Sequence, residues 1–288
     1  IDISSYKFDG KGGQGAPEHT HIMPLPDTFR GLYQGNDAAE KYAAHAENIL
    51  EKIAHDNKQV AGFIAESIIS CGGQIEPPAG FFDQVYQSVR SSGGLCIADE
   101  VQTGCGRVGS HFWAFERHGV VPDIITIGKP IGNGHPLAVV VCTAEVAKRF
   151  ANGMEYFNTF GGNPVSARIG RAVLETIKKG QLQKNAVTTG DYLIKGLVAL
   201  QEKFPVIADV RGAGLFLGFE LCDAEKKPLP QQAAYLSNRM RELGILISTD
   251  GPDYNVIKIK PPITFDVKHA DELLHRLNAV FNESAMTL

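Results

Sequence analysis

Long apolar runs are missing from this 288-residue sequence, and none approaches the roughly 20 residues that a membrane-spanning helix needs. Excess charge is small as well, because the formal net charge of −4 gives no reason to expect a nucleic-acid partner. Internal repeats and low-complexity tracts are also lacking. With 43% hydrophobic and 21% charged residues, the composition is typical of a soluble globular protein with one large domain or two smaller ones. We therefore expect no membrane association and no nucleic-acid binding.

Cysteines are few, and their spacing does not suggest disulfides. The five residues are odd in number and form no C-x-x-C motif, and two of them lie in apolar, strand-like runs. They are Cys71, Cys96, Cys105, Cys142 and Cys222. This pattern predicts free thiols in a reducing compartment, so we expect a cytoplasmic protein.

Several catalytic motifs are absent too. No G-x-S-x-G nucleophile elbow occurs in the sequence. The Gly-Lys pair at 128–129 does not complete a P-loop, because Asp123 stands where glycine is needed and Pro130 where serine or threonine is needed. The His-Thr-His run at 19–21 lacks further ligands at a suitable spacing, which favours an ordinary loop over a metal site.

Apolar strand-like runs alternate with helical patterns through the first part of the chain. Such alternation predicts βαβ units and an α/β fold with a mostly parallel sheet. Beyond Pro205 the pattern changes to that of a small α+β unit. We therefore predict part of a large domain at 1–180 and a small C-terminal domain at 181–288. The predicted strands of the first part are 60–66, 95–101, 124–128 and 138–143, and its predicted helices are 37–56, 79–90 and 112–118.

Two of these predicted strands run into a single charged side chain. Asp99 follows the apolar run Leu-Cys-Ile-Ala, and Lys129 follows Ile-Ile-Thr-Ile-Gly. In parallel sheets, ligands bind outside the carboxyl ends of the strands. An amine and a carboxylate placed there suit the two ends of a pyridoxal 5′-phosphate (PLP) ring, since the amine forms a Schiff base and the carboxylate keeps the ring nitrogen protonated. A lysine that merely extends from a strand end into solvent is the alternative.

A nicotinamide enzyme is a second alternative, because residues 104–109 match G-x-G-x-x-G between a strand and a helix. The match is incomplete, since residues 99–103 separate the strand from the first glycine. Asp123 also opens the next strand, whereas an acid that binds the ribose should close it. A similar motif at 10–15 is not followed by a helix and predicts a flexible loop.

Three segments resemble the class III (ornithine/GABA-type) aminotransferases. They are 98–109 (ADEVQTGCGRVG), 122–129 (PDIITIGK) and 159–164 (TFGGNP), and they occur in the order of that family. The resemblance covers essentially the whole chain. It implies the PLP-dependent transferase fold type I, a small-molecule amine substrate, and a homodimer with shared active sites.

The resemblance also implies roles by position. Lys129 is expected to be the Schiff-base lysine and proton carrier, and Asp99 the partner of the pyridine nitrogen. Ordinary strand-end packing is the alternative for the residues at positions 66, 101 and 102. The further contacts expected with the cofactor are Val101 as the apolar plate behind the ring, Gln102 as donor to the phenolic oxygen, Thr159 at the neighbouring subunit's cofactor phosphate, and Glu66 as an acid near the ring.

A narrower resemblance is to the ethanolamine-phosphate and 5-phosphohydroxylysine phospho-lyases. Two residues depart from the transaminase pattern: Lys258 stands where many of those enzymes have an arginine for the substrate carboxylate, and Cys71 where they have its glutamate partner. Lysine does not reproduce the bidentate grip of arginine. These changes favour an O-phosphoamine phospho-lyase in which Lys258 contacts the substrate, with a transaminase of ω-amino acids as the alternative. The matching segments are 65–67, 70–75, 128–136, 248–252 and 257–262.

The same resemblance places a segment before Ile1 that carries a phosphate-binding Gly-Ser/Thr loop and an aromatic residue that stacks on the ring. We therefore expect the chain to be a fragment or a processed piece that binds PLP poorly by itself. A non-catalytic module of a longer polypeptide is the corresponding alternative, and a Schiff-base band on titration of this chain with PLP would weaken that alternative.

Overall fold

A mostly parallel sheet forms the first part of the computed structural model, which describes residues 2–287, so that Ile1 lies outside them. Its four strands lie side by side in chain order. The first three pair in parallel, and the fourth is antiparallel to the third. This arrangement confirms the predicted α/β sheet. The strands are β1 (Gly62–Glu66), β2 (Leu95–Asp99), β3 (Ile124–Ile127) and β4 (Val139–Cys142).

Helix α3 shows why the sequence folds around this sheet. Its apolar side chains recur every three or four residues, so Phe82, Val85 and Val89 are buried on one face. They belong to the same core cluster as Cys96 and Ala98 of β2. The described α-helices are α1 (Ser5–Phe8), α2 (Ala38–His55), α3 (Phe81–Ser91), α4 (Ala144–Phe150), α5 (Pro164–Lys179), α6 (Leu182–Lys203), α7 (Pro230–Glu242) and α8 (Val267–Phe281).

The strand register places the residues at the carboxyl ends of β1, β2 and β3 side by side. Glu66 pairs with Asp99, and Asp99 pairs with Thr126. Because side chains alternate between the two faces along a strand, directly paired residues of parallel strands point to the same face. The three side chains therefore lie side by side at the edge where open α/β sheets bind their ligands.

A second, antiparallel sheet follows α6 and has its own core. Its four strands lie in the order β5-β6-β8-β7, and every residue of β6 is buried. Helices α6 and α8 pack on this sheet through side chains such as Leu197 and Leu277, which join Phe219 of β6 in one cluster. The predicted boundary between 180 and 181 stays a prediction. The strands are β5 (Ile207–Ala213), β6 (Phe216–Leu221), β7 (Ser248–Asp250) and β8 (Val256–Ile259).

One predicted helix has a different form. Residues 112–118 are expected to be helical, but only Ala114–His118 is, and it is a 3₁₀ helix. The Glu116 carboxylate accepts a hydrogen bond from the Trp113 amide at 3.0 Å, which satisfies a backbone donor at the start of the turn. Gly119, with a φ of 69°, ends it. Among residues 2–287, no helix combines the length and apolar character required to cross a membrane.

A buried ion network attaches the segment around Arg30 to the second sheet. Glu220 of β6, whose side chain is 1% exposed, is ion-paired with both Arg30 and Arg211. Arg211 also donates to Asp209 at 2.6 Å and to the Gly73 carbonyl at 2.8 Å. Burial raises the pKa of Glu220, but the two guanidinium groups lower it by more, so its pKa lies below the usual value for glutamate.

Replacing Glu220 by glutamine is expected to lower the free energy of unfolding by up to about 3 kcal/mol, because Arg30 and Arg211 would each lose their buried carboxylate partner and keep only the more exposed Asp253 and Asp209. Urea denaturation measures the loss. Since the folded-state pKa of Glu220 is lowered, its ion pairs stabilise fully above the unfolded carboxyl pKa and are lost as pH falls through the folded pKa. The variant should lack this acid-dependent loss. The exposed Glu202→Gln variant is the control, and equal stability of the two variants would contradict the prediction.

Candidate active site

Lys129 begins a tight turn directly after β3. The extended Gly128 separates it from Ile127, and Lys129 starts a 3₁₀ turn that ends at Ile131. The φ angle of Lys129 is 32°, a region that residues with side chains seldom adopt and that often marks functional positions. Its side chain is exposed and forms no ion pair within the described chain. The turn thus leaves an amine free three residues beyond Thr126, at the edge that carries Asp99.

Asp99 is half-buried at the end of β2, and its carboxylate can accept further hydrogen bonds. Its Oδ1 accepts a hydrogen bond from the Val101 amide at 2.9 Å, and residues 2–287 provide no other hydrogen bond to the carboxylate. The hydroxyl of Thr126, its neighbour on β3, is buried without a hydrogen-bond partner among those residues. Two polar groups therefore converge on one place at the sheet edge without satisfying each other.

An apolar surface lies between the acid and the lysine. A Cβ built on Gly128 would lie 3.3 Å from Cγ1 of Val101, closer than most real contacts of this kind. The Val101 side chain therefore packs closely against the Gly128 backbone, where a larger residue would press against it. Glycine at 128 thus permits a close approach between this backbone and the apolar Val101 side chain.

A hydrogen-bond network joins Glu66 to Gln102. The Glu66 carboxylate accepts from the Ser70 amide at 2.9 Å, from the Ser70 hydroxyl at 2.6 Å and from the Gln102 amide at 3.3 Å. Gln102 Oε1 accepts from the Lys260 ammonium at 2.6 Å. Burial raises the pKa of Glu66, and the neighbouring charge of Asp99 raises it further, against the effect of these hydrogen bonds.

Lys258 lies on β8 and is ion-paired with Asp250 of β7. Asp250 also accepts a hydrogen bond from Gln74 Nε2 at 3.2 Å. Cys71 is half-buried, with its sulfur 3.6 Å from the Ser70 hydroxyl. Its carbonyl accepts from the Gly251 amide at 3.2 Å. The two positions that depart from the transaminase pattern therefore lie close to the β7 end of the second sheet.

Thr159 is not brought together with these residues. It lies within 151–162, where every residue is exposed. Within this chain the structure thus gathers Glu66, Asp99, Val101 and Gln102 at one edge and places Lys129 beside it, while Thr159 faces solvent. Three residues that contact the expected site residues were not predicted from the sequence: Ser70, Asp250 and Lys260.

These residues fit a bound PLP. Asp99 offers an unoccupied carboxylate oxygen for a pyridinium N–H, Val101 an apolar surface for the ring, and Lys129 a free amine. Among residues 2–287 no group of three or more metal-ligating side chains occurs. The fold is α/β, and this set of residues is one expected of a protein that binds PLP.

Comparison with known proteins gives the family. The class III aminotransferase model matches residues 9–281. The chain is 50% identical over 283 residues to an alanine–glyoxylate aminotransferase 2-like protein of Drosophila melanogaster, covering 95% of this chain. It is 36% identical over 296 residues to ethanolamine-phosphate phospho-lyase homolog 1 of Caenorhabditis elegans, covering 97%. A phospholyase from Arthrobacter, solved with phosphoethanolamine, superposes with a TM-score of 0.88 at 35% identity over 94% of the chain.

The chain belongs to the class III aminotransferase family, whose cofactor is PLP. It spans 57% of the fly protein, 63% of the worm protein and 64% of the Arthrobacter chain. The predictions of fold class, family and cofactor made from the sequence are thereby confirmed. The roles of the individual site residues stay predictions.

Proposed function

We propose that the protein is a PLP-dependent phospho-lyase that eliminates phosphate from an O-phosphorylated primary amine such as phosphoethanolamine. The supporting observation is the ion pair between Lys258 and Asp250. At position 258 the family's transaminases are expected to hold a free arginine for a substrate carboxylate, but here the cation is already neutralised. Cys71 also lacks the charge of the expected gating glutamate. The likeness to the Arthrobacter phospholyase, solved with phosphoethanolamine, points the same way.

PLP, when bound, supplies an electron sink for a carbanion next to the substrate nitrogen. Asp99 would accept a hydrogen bond from the ring nitrogen and favour its charged form, and Val101 would pack behind the ring. Glu66 would lie near the ring. Gln102, whose amide donates to Glu66 and to Ser70 in this structure, would have to exchange one of these bonds to donate to the ring's phenolic oxygen. Lys129 holds the cofactor and takes the proton from the carbon that bears the amine. Lys258 lies at the substrate end. Phosphate then leaves from the adjacent carbon, and hydrolysis of the remaining product releases ammonia.

A class III transaminase acting on an ω-amino acid is the second candidate. The name of the fly protein, which is 50% identical to this chain, favours it. Both reactions begin with the same proton removal by Lys129. They differ only in the later steps, so the residues that bind the cofactor do not separate them.

Product analysis of the full-length protein with phosphoethanolamine separates the two candidates. Under the proposal, inorganic phosphate and ammonia appear in equal amounts without any keto acid. A transaminase would instead convert the cofactor to its pyridoxamine form and turn over only when a keto acid is added. That second result would reject the phospho-lyase. A non-catalytic module of a longer polypeptide stays a third hypothesis, and a Schiff-base absorbance band on titration of the 288-residue chain with PLP would weaken it.

We further propose a homodimer in which Thr159 of each subunit reaches the cofactor phosphate of the other. The support is an exposed apolar surface on the segment that contains Thr159. Its members are Met154, Tyr156, Phe157 and Phe160, together with Phe150 directly before the segment, all at least 60% exposed. Large exposed apolar patches of this kind mark interfaces.

We also propose a reducing, cytoplasmic location, which the free state of the five cysteines supports.

A further inference from the structure

Lys260 is a cation without an anion. Its ammonium donates to the neutral Oε1 of Gln102 at 2.6 Å, and no ion pair to a carboxylate forms among residues 2–287. The side chain is half-buried. An ammonium removed from water without an opposite charge is costly unless a ligand supplies that charge.

A second unpaired cation lies next to it. The guanidinium of Arg107 donates to the carbonyl of Pro261 at 2.7 Å and to that of Leu215 at 3.1 Å, and within the described chain it has no carboxylate partner. Burial lowers the pKa of Lys260, the charges of Lys258, Arg107 and Lys129 lower it further, and the smaller effect of Asp250 opposes them. The surroundings of Lys260 are therefore positively charged, which favours an anion beside it.

Lys258 lies on β8 and Lys260 directly follows that strand, so their two-residue spacing places them on the same face. Both line a cavity of about 560 Å³, whose lining also includes Glu272 but none of the site residues at the edge of the first sheet. Only Lys258 is neutralised, by Asp250. The free positive charge on this face is therefore that of Lys260, whose contact Gln102 connects it directly to Glu66 in the row of site residues.

We infer that Lys260 binds the anionic group of the substrate, at the end remote from the amine that reacts. The inference rests on the proposed function, in which that group is a phosphate monoester. A phosphate monoester carries nearly two negative charges near neutral pH and three acceptor oxygens, so it can pair with Lys260 and face the field of Arg107 as well. Lys260 then determines specificity by selecting amines that end in an anion, and Gln102 holds its ammonium in place.

Binding to the PLP-loaded, full-length protein tests this inference. Phosphoethanolamine and ethanolamine differ only in the phosphate, and the change in cofactor absorbance gives a dissociation constant for each. We expect Lys260→Met to weaken phosphoethanolamine binding by about 10-fold to 100-fold, the effect of one charge-assisted hydrogen bond. Ethanolamine binding should stay within about twofold, because that ligand offers no anion to pair. Lys260→Arg should restore most of the preference for the phosphorylated amine.

A control variant and three contrary outcomes complete the test. Lys195→Met, an exposed substitution on α6, should keep the wild-type ratio of the two dissociation constants. Retention of the wild-type ratio by the Lys260→Met protein overturns the inference, as does loss of the ratio in Lys258→Met alone. If Lys260→Met instead loses PLP itself, with an unchanged ratio at saturating PLP, the anion is the cofactor's phosphate and the inference is wrong.

The binding ratio also separates this inference from the proposed function. A wild-type protein that prefers phosphoethanolamine but releases no phosphate rejects the phospho-lyase, while the ratio measured for Lys260→Met still decides the role of Lys260. A wild-type protein with no preference between the two amines overturns the role of Lys260 directly.

Discussion

Replacing Lys129 by methionine is expected to abolish covalent attachment of PLP and to reduce turnover by at least about 100-fold to 10,000-fold, the range typical of a lost general base. Methionine keeps the length of the side chain but cannot bond to the cofactor's aldehyde or carry a proton. Lys129 is also exposed and free of ion pairs within the described chain, so its loss should disturb the fold little. The effect should therefore be chemical.

Two measurements check this prediction independently of activity. Treatment of the PLP-loaded wild-type protein with borohydride should fix the cofactor on the peptide that contains Lys129, as read by mass spectrometry, and the variant should show no such adduct. The thermal unfolding midpoint should stay within a few degrees of the wild type. Lys178→Met, at the exposed end of α5, is the matched control. A labelled peptide elsewhere, or an unchanged adduct in the variant, would remove Lys129 from its role.

The edge of the first sheet was predictable because each of its features is local in sequence. Short apolar runs define β2 and β3, and the helical spacing of Phe82, Val85 and Val89 defines α3 between β1 and β2. Alternation of such elements implies parallel strands, and parallel strands share one carboxyl edge. A residue that ends such a run, as Asp99 does, is thereby placed at a candidate site by the sequence pattern alone.

The contacts around that edge could not be predicted, because they join distant parts of the chain. Gln102 and Lys260 are 158 residues apart in sequence, yet their side chains are 2.6 Å apart in the structure. The pair of Lys258 with Asp250 depends on the pairing of β7 with β8. Lys260 has two local signals, namely its two-residue spacing from Lys258 and its place in the phospho-lyase-like segment 257–262. Ser70 lies in the matching segment 70–75, but its contact depends on the turn that brings it back to Glu66.

At two places the structure differs from, or goes beyond, what the local sequence pattern predicts. The sequence predicts a regular helix at 112–118, but a side-chain bond from Glu116 and the left-handed Gly119 confine it to a short 3₁₀ turn. The exposure of Thr159 likewise follows from no pattern in its own segment. Its proposed role depends on a second subunit, and contacts between subunits leave little trace in the periodicity of a single sequence.

Replacing Asp99 by asparagine is expected to reduce turnover by about 100-fold to 1,000-fold, the usual effect of losing one preorganised electrostatic contact to developing charge. Asparagine has nearly the same shape, and its oxygen can still accept the hydrogen bond from the Val101 amide. The other carboxylate oxygen, however, becomes an amide that donates hydrogen bonds. It then faces the ring nitrogen with a donor, which favours the unprotonated nitrogen and weakens the electron sink.

A structural role for Asp99 predicts a different outcome. Since the variant keeps the bond to Val101, we expect an unchanged unfolding midpoint and cofactor that is still covalently attached, but a cofactor absorbance that responds differently to pH because the ring nitrogen loses its proton more easily. Asp99→Glu keeps the charge on a longer side chain and should recover part of the rate. If Asp99→Asn instead unfolds at lower temperature and keeps the wild-type rate per bound cofactor, Asp99 supports the strand end and not the ring. The proposed chemistry would then lose one of its two essential residues. Lys129 could still remove a proton, but without a protonated ring nitrogen the cofactor would not stabilise the resulting negative charge on the substrate carbon.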